Sequence, residues 1–221
     1  MNLDKPEKLF DITYFKQNPE KFYYYVRHIS TAEYDKYNPT PTHRFIKLIE
    51  NKNMLNLVYT QNIDSLEIKA GVSEHKVIQA HGHRRRAKCS GCKKEYPIQQ
   101  FFDHVHKEQV MYCETCKSPC KSAVVFFGEK LTDSYYDNKD KLYESDLVFV
   151  IGTSLVVKPF GYLIQHFENK TKVLINRENL FNINRMMKEN EEYINLIGDC
   201  DEVIRRLVNE LGWKKEFDSL L

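Results

Sequence analysis

Two cysteine pairs of the same spacing, Cys89-Ser-Gly-Cys92 and Cys113-Glu-Thr-Cys116, stand with twenty residues between them. Two thiolates on a tight knuckle supply two corners of a tetrahedron, and a second knuckle supplies the other two. Zinc suits four sulfur ligands, needs no redox partner and holds together a module too small for a core of its own. The spacing points to one structural Zn2+ on Cys89, Cys92, Cys113 and Cys116. The competing readings are two unrelated cysteine pairs or a thioredoxin-like redox motif. Four sulfurs would close the site and leave no position for a catalytic water, so such a zinc is not the reaction centre. Cys120 is a candidate fifth thiol, although its spacing from Cys116 fits a ribbon less well. His104 and His106 fall on an expected helix between the knuckles and read as surface histidines before they read as ligands.

Composition narrows the class further. Lysine and arginine (33) nearly balance aspartate and glutamate (31), for a net charge of +2. That balance argues against a protein held to nucleic acid by bulk charge and against a polybasic membrane binder. The local run Arg84-Arg85-Arg86 with Lys88 reads first as a solvated face. Among the 221 residues there are only 8 glycines, and no two stand two apart. A standard dinucleotide fingerprint or P-loop is therefore absent. No apolar run approaches the roughly 18 residues of a membrane span, and the opening MNLDKPEKLFDITYF lacks the apolar stretch of a signal peptide. The default compartment is cytosol or nucleus, where cysteines serve as metal ligands or buried thiols more often than as disulfides.

Short apolar runs alternate with amphipathic stretches. Asn18-Pro19 opens an expected helix to about Ile29, and Thr40-Pro41 opens another containing Phe45, Ile46, Leu48 and Ile49. Strands are expected at 55–60, 123–127, 147–151, 173–175 and 194–197. A last helix from about Asp201 places Val203, Ile204, Leu207, Val208 and Leu211 on one face. Strands alternating with helices predict an α/β fold, a mostly parallel sheet with helices on both faces. Residues 84–121 break that rhythm and hold five of the six cysteines. They read as a small module inserted between 1–83 and 122–221.

Polar residues follow three of the apolar runs: Thr60-Gln61-Asn62-Ile63-Asp64, Gly152-Thr153-Ser154 and Asn176-Arg177-Glu178. Open α/β sheets bind ligands beyond the carboxyl ends of their strands. Amides, hydroxyls and carboxylates there can bind sugar hydroxyls, phosphates or a carboxamide. Taken singly, each group is as readily a turn or a helix cap. His81, before Gly82, is on statistics more often structural or exposed than catalytic.

These residues occur in the order found in the sirtuins, the NAD-dependent protein deacylases. The chain resembles that family in YTQNID at 59–64, HG at 81–82, CxxC…CxxC at 89–116, VVFFGE at 124–129, GTSL at 152–155 and LINRE at 174–178. The opening LFDITYFKQNPEKF and the tail GWKKE at 212–216 resemble the class I, sirtuin-2-like branch. The resemblance covers essentially the whole chain. It implies a Rossmann-like NAD-binding large domain with an inserted zinc-ribbon module. It makes His81 the catalytic base, and gives Gln61, Asn62, Ile63 and Asp64 to the nicotinamide and its ribose. Gly152, Thr153 and Ser154 fall to the phosphates and ribose, Asn176, Arg177 and Glu178 to the adenosine ribose, and Cys200 to the adenine. Val125, Phe126, Gly128 and Glu129 on one side, and Val156, Val157, Lys158 and Pro159 on the other, become the edges that hold a substrate peptide as an added strand. The implied chemistry moves the acetyl group of acetyl-lysine to ADP-ribose and releases nicotinamide. A histidine base suits it, because imidazole titrates near neutrality.

Phe126 fits deacetylation better than removal of acidic acyl groups. The implied partners are NAD and acetylated proteins, histones and tubulin among the candidates, with no membrane and no strong nucleic-acid signal. The implied compartment is the cytoplasm, with the nucleus as a second. The family's opening strand, its GAGxS loop and its PDFR segment are not in the sequence, so the expected sheet lacks its first strand. The chain then reads either as a fragment whose start lies too far downstream or as a truncated relative. The rival functions are a zinc-bearing acetyl-peptide-binding protein without catalysis and, further off, a zinc-ribbon nucleic-acid binder.

Overall fold

A computed structural model describes residues 5–29, 36–179 and 193–220. Along the chain they form helices α1 (Ile12–Gln17), α2 (Pro19–Ile29) and α3 (Pro41–Asn51), strand β1 (Val58–Thr60), helix α4 (Leu66–Lys69), and strands β2 (Val77–Gln79), β3 (Gly82–Cys89) and β4 (Glu95–Pro97). Then come α5 (Ile98–His106), β5 (Cys120–Val124), α6 (Asp133–Asp137), β6 (Leu147–Ile151), β7 (Thr171–Asn176), β8 (Ile194–Ile197), α7 (Cys200–Glu210) and α8 (Lys214–Asp218). Among the described residues the strands form a β1-β2 pair, an antiparallel sheet β4-β3-β5 and a parallel sheet β6-β7-β8. The fold is mixed α/β, as the alternation of apolar runs predicts. Two compact units divide it: Met1–Tyr37, Thr60–Ser65 and Gln79–Asp133 form one, and Asn38–Tyr59, Leu66–Ile78 and Ser134–Leu221 form the other.

In the first unit the Asp11 carboxylate accepts the Tyr14 N–H at 2.8 Å and starts α1, a helix too short for its period to show in the sequence. Asn18 closes this helix, its side-chain amide donating to the Tyr14 carbonyl at 3.4 Å. Pro19 then occupies the first turn of α2, where its missing N–H is no loss. So α2 begins where expected, but the Asn18 side chain serves the helix before it. The strand expected at 123–127 lies three residues earlier. The reason is its partner: β5 pairs antiparallel with β3, Cys89 opposite Cys120 and Gly82 opposite Val124. Beyond β5, Phe127 turns away to exchange backbone bonds with Phe10 and Ile12 at 2.8 and 3.0 Å.

Phe15, Phe22, Phe101 and Phe126 centre the core of this unit. Phe22 meets Phe126 at 5.1 Å and Phe15 at 5.3 Å, both edge to face, the geometry in which positive ring edges meet negative ring faces. Tyr23 brings α2 into the same core with a polar tip. Its buried hydroxyl donates to the Cys120 carbonyl at 2.7 Å and accepts the Met111 N–H at 3.1 Å.

In the second unit β7 is the central strand, buried on both faces. Val173 and Ile175 point to a core that includes Phe45 and Leu48 of α3, Val203, Ile204 and Val208 of α7, and Phe217 of α8. Leu174 points the other way, to Leu155 and Ile164. This alternation gives the parallel sheet helical cover on both faces. Asp201 ties α7 to α3, accepting the Thr42 N–H at 3.0 Å and its hydroxyl at 2.6 Å. Leu211, expected on the apolar face of α7, instead follows its last turn and is exposed. No helix among the described residues is long and apolar enough to cross a membrane.

Replacing Tyr23 by Phe removes one oxygen and leaves the Met111 N–H and the Cys120 carbonyl unpaired in the core. A loss of about 1–3 kcal/mol is expected. It should appear in urea titration as a lower midpoint at unchanged slope; an unmoved midpoint would contradict the assignment.

Candidate active site and metal centre

The two knuckles bring four sulfurs together. The Sγ atoms of Cys89, Cys92, Cys113 and Cys116 all lie within 4.8 Å of one another, with Cys89 to Cys116 at 3.3 Å and Cys92 to Cys113 at 3.6 Å. A tetrahedron with Zn–S bonds of about 2.3 Å has edges of about 3.8 Å, so the cluster is the right size for that ion. The knuckles are built by backbone as much as by sulfur. Gly91 N–H donates to Cys89 Sγ at 3.3 Å, and a Cβ at Gly91 would lie 2.5 Å from Ser118 Oγ. All six cysteines are free thiols.

Neighbouring hydroxyls prepare two of the sulfurs for a cation. The Tyr96 hydroxyl donates to Cys113 Sγ at 3.1 Å and, with nearby backbone N–H groups, brings that thiol down to about 5. Ser118 holds Cys116 at about 7. Burial pushes Cys89 up to about 11, so its proton is one that a metal must displace. Cys120 is buried, pushed to about 12, and is not among the four clustered sulfurs. His104 lies on α5 as expected and bonds its own helix at the Gln100 carbonyl, 2.8 Å away. The donor set therefore fits one zinc held by four sulfurs, which would cross-link β3 and the loop before β5.

At the other end of β3, immediately before Gly82, stands His81. Its Nδ1 lies 3.2 Å from the Gln61 carbonyl oxygen. A carbonyl only accepts, so Nδ1 carries the proton at this contact, and in the neutral imidazole the lone pair is then on Nε2. The His81 carbonyl in turn accepts the Val125 N–H at 2.8 Å. Gly82 makes this approach possible. Its φ is +75°, and a Cβ there would lie 2.0 Å from the Ala123 carbonyl oxygen. Gln61 is half-buried, Ile63 likewise, and Asn62 and Asp64 are exposed; the Asn62 N–H closes a small turn on Thr60 Oγ1 at 3.1 Å. The structure thus joins His81 to the 61–64 segment and to the 125–129 segment, three stretches far apart in sequence.

Within the 125–129 stretch the two phenylalanines part. Phe126 is only 2% exposed and belongs to the aromatic core, whereas its neighbour Phe127, to which the sequence motif gives no role, is 62% exposed. An alternating strand pattern would have shown which phenylalanine faces out, but β5 ends at Val124 and the alternation ends with it.

In the second unit the ends of β6, β7 and β8 gather another group. The Gly152 N–H donates to the Ile175 carbonyl at 2.9 Å, and the Cys200 sulfur comes close to the bare Cα, so that a Cβ at Gly152 would lie 3.5 Å from Sγ. Gly198 N–H donates to the Asn176 carbonyl at 2.9 Å. Arg177 pairs with Asp199 at 2.8 Å, and its hydrogen bond holds that exposed carboxylate below its usual range. Asp199 also caps α7 by accepting the Asp201 N–H at 3.0 Å. Burial, helped by the Asp199 and Asp201 charges, raises the Cys200 thiol above its ordinary value. Thr153 Oγ1 accepts the Leu155 N–H at 3.1 Å, while Ser154 and Glu178 are exposed. Val156, Val157, Lys158 and Pro159 form an exposed run in which Lys158 donates to the Leu155 carbonyl at 3.3 Å. Gly152, Asn176, Arg177 and Cys200 therefore meet at one end of the parallel sheet, the end where α/β folds hold ligands.

The model of the Sir2 family matches residues 1–159. The NAD-dependent protein deacetylase hst2 of Schizosaccharomyces pombe is 37% identical over 222 residues, covering the whole of this chain and 65% of the relative. The NAD-dependent deacetylase sir2A of Dictyostelium discoideum is 38% identical over 226 residues, 97% of this chain and 43% of the relative. The NAD-dependent protein deacetylase sirtuin-2 of Danio rerio is 33% identical over 237 residues, the whole of this chain and 62% of the relative. The chain spans less than two thirds of the length of these relatives.

If Tyr96 tunes Cys113 for a metal, Tyr96→Phe should weaken zinc affinity by about tenfold or more. Competition with a chromophoric chelator reads this directly, and equal affinities for the two chains would contradict that role.

Proposed function

The chain belongs to the Sir2 family, and from that premise we propose that it is an NAD-dependent protein-lysine deacetylase. It would move the acetyl group of an acetylated protein to ADP-ribose and release nicotinamide. The observation that carries this reading is the orientation of His81, whose Nδ1–H is held by the Gln61 carbonyl, the tautomer that puts the neutral imidazole's lone pair on Nε2. NAD would supply the chemistry of a cleavable bond between nicotinamide and ribose. The chain's own residues would do the rest. Gln61, Asn62, Ile63 and Asp64 would bind the nicotinamide and its ribose. Gly152, Thr153 and Ser154 would bind phosphate and ribose, and Asn176, Arg177, Glu178 and Cys200 the adenosine end. His81 would take a proton from a ribose hydroxyl at Nε2, and the Gln61 carbonyl would stabilise the imidazolium that forms.

The Val125–Glu129 segment would offer its backbone to the peptide, and we give Val156, Val157, Lys158 and Pro159 the same role. Recognition through main-chain groups reads the extended form of a peptide more than its sequence, so histones, tubulin and other acetylated proteins are all admissible targets. Zinc would act by cross-linking alone. Four cysteines serving as metal ligands and two as thiols suit a reducing compartment, the cytoplasm or the nucleus.

The zinc-loaded chain, given NAD and an acetyl-lysine peptide, should release nicotinamide. His81→Ala should lower that rate by about 10²–10⁴-fold at unchanged zinc content, the range expected for loss of a general base. A folded His81→Ala chain that keeps its turnover would overturn the assignment of the base.

A further inference from the structure

The segment that the proposed function makes a peptide edge is held from inside by a lysine that no motif announces. Lys121 lies on β5 and is 4% exposed. Its ammonium donates to the Val124 carbonyl, pairs with Glu129 Oε2 at 2.8 Å and stands 4.2 Å from the centroid of the Phe126 ring. Glu129 passes this anchorage to the backbone. The same Oε2 accepts the Phe126 N–H at 3.0 Å, and the Glu129 N–H donates to the Phe126 carbonyl at 2.9 Å. One residue earlier, the Val125 N–H is bonded to the His81 carbonyl. The other carboxylate oxygen takes Lys93 at 2.9 Å, from the tip of the first knuckle.

The two lysines are not equivalent. Lys93 has a side chain 53% exposed, and an ion pair in water contributes little. Lys121 is buried with its partner, and removing it would leave a largely buried carboxylate with only the exposed Lys93 as counter-charge. Burial alone would raise the Glu129 carboxyl, but the Lys121 charge and the converging hydrogen bonds bring it below its ordinary value.

We propose that Lys121 is a positioning residue that, through Glu129, fixes the backbone of Val125–Gly128 in the conformation an acetyl-lysine peptide pairs with. This inference rests on the deacetylase reading and deepens it. A peptide added as a strand draws its affinity from main-chain groups aimed in advance, so a loosened edge costs peptide affinity first.

The test uses the full zinc-loaded chain with a fluorescent acetyl-lysine peptide, read by anisotropy, followed by kinetics with peptide and NAD varied separately. Lys121→Met keeps the stem over Phe126 and removes the charge. It should raise the peptide Kd and KM by about tenfold, with the KM for NAD within about twofold of wild type. Lys121→Arg should recover most of the peptide affinity, and Lys93→Met should stay within about twofold of wild type. Unchanged peptide affinity in Lys121→Met overturns the proposal, as does a loss that merely follows loss of zinc. If the single variant does not fold, Lys121→Met with Glu129→Gln removes both charges and leaves an acceptor for the Phe126 N–H. Weaker peptide binding at full zinc loading then supports the proposal, and wild-type binding overturns it. A wild-type chain that binds peptide but releases no nicotinamide refutes the deacetylase reading alone, and the Kd comparison still judges Lys121. A wild-type chain without peptide affinity overturns both.

Discussion

The antiparallel approach of β3 to β5 is the contact on which the first unit depends. At one end of this ladder Cys89 stands opposite Cys120, beside the cluster of four sulfurs. At the other end Gly82 meets Val124, and His81 and Val125 are bonded just beyond it. Eight residues of strand, on the order of 25 Å of extended chain, therefore join a metal centre to a candidate base. The ladder is not regular. Its register shifts between Gly82 and Ala87, which lets β3 bend while both ends stay paired. Only glycine fits at the close end, because the Ala123 carbonyl fills the place of a side chain.

Each end of the ladder is finished by a polar group placed with little freedom. Tyr96 serves the sulfurs, its hydroxyl accepting the Glu114 N–H at 3.3 Å while donating to Cys113. Gln79 stiffens the chain just before His81: its buried amide donates to Ser65 Oγ at 2.8 Å, and its backbone carbonyl accepts the Thr132 hydroxyl at 3.1 Å. Lys121 serves the edge beyond the ladder. In the second unit, Asp199 does comparable work by capping α7 and pairing with Arg177. These groups share a physical logic. A buried or half-buried polar atom with all its partners in place has few alternative positions, so the residue that it holds is aimed before any ligand arrives.

Much of this was legible in the sequence, for reasons that differ by element. The two CxxC knuckles declare themselves because thiolate geometry demands short spacing. The helices α3 and α7 show as amphipathic periods, and β6 as a run of five apolar residues. The ordered motifs from Gln61 to Glu178 carry the resemblance that the family match over residues 1–159 and the relatives aligned over the whole chain bear out. What the sequence hid depends on partners. The run Ala123–Phe127 reads as a strand, yet the strand includes Cys120-Lys121-Ser122, polar by composition, because β3 supplies their ladder bonds. Two adjacent phenylalanines give no sign of which one is core. A lysine reads as surface until a carboxylate eight residues away is seen to be folded back onto it. The helix α1 has too few residues to show a period.

The central claim is that acetyl leaves lysine for ADP-ribose. It is tested most directly by following an isotopically labelled acetyl group from peptide to product by mass spectrometry, in the presence of NAD. Labelled acetyl-ADP-ribose and free nicotinamide are expected in equal amounts. Labelled free acetate as the first product, with NAD left intact, would contradict the claim.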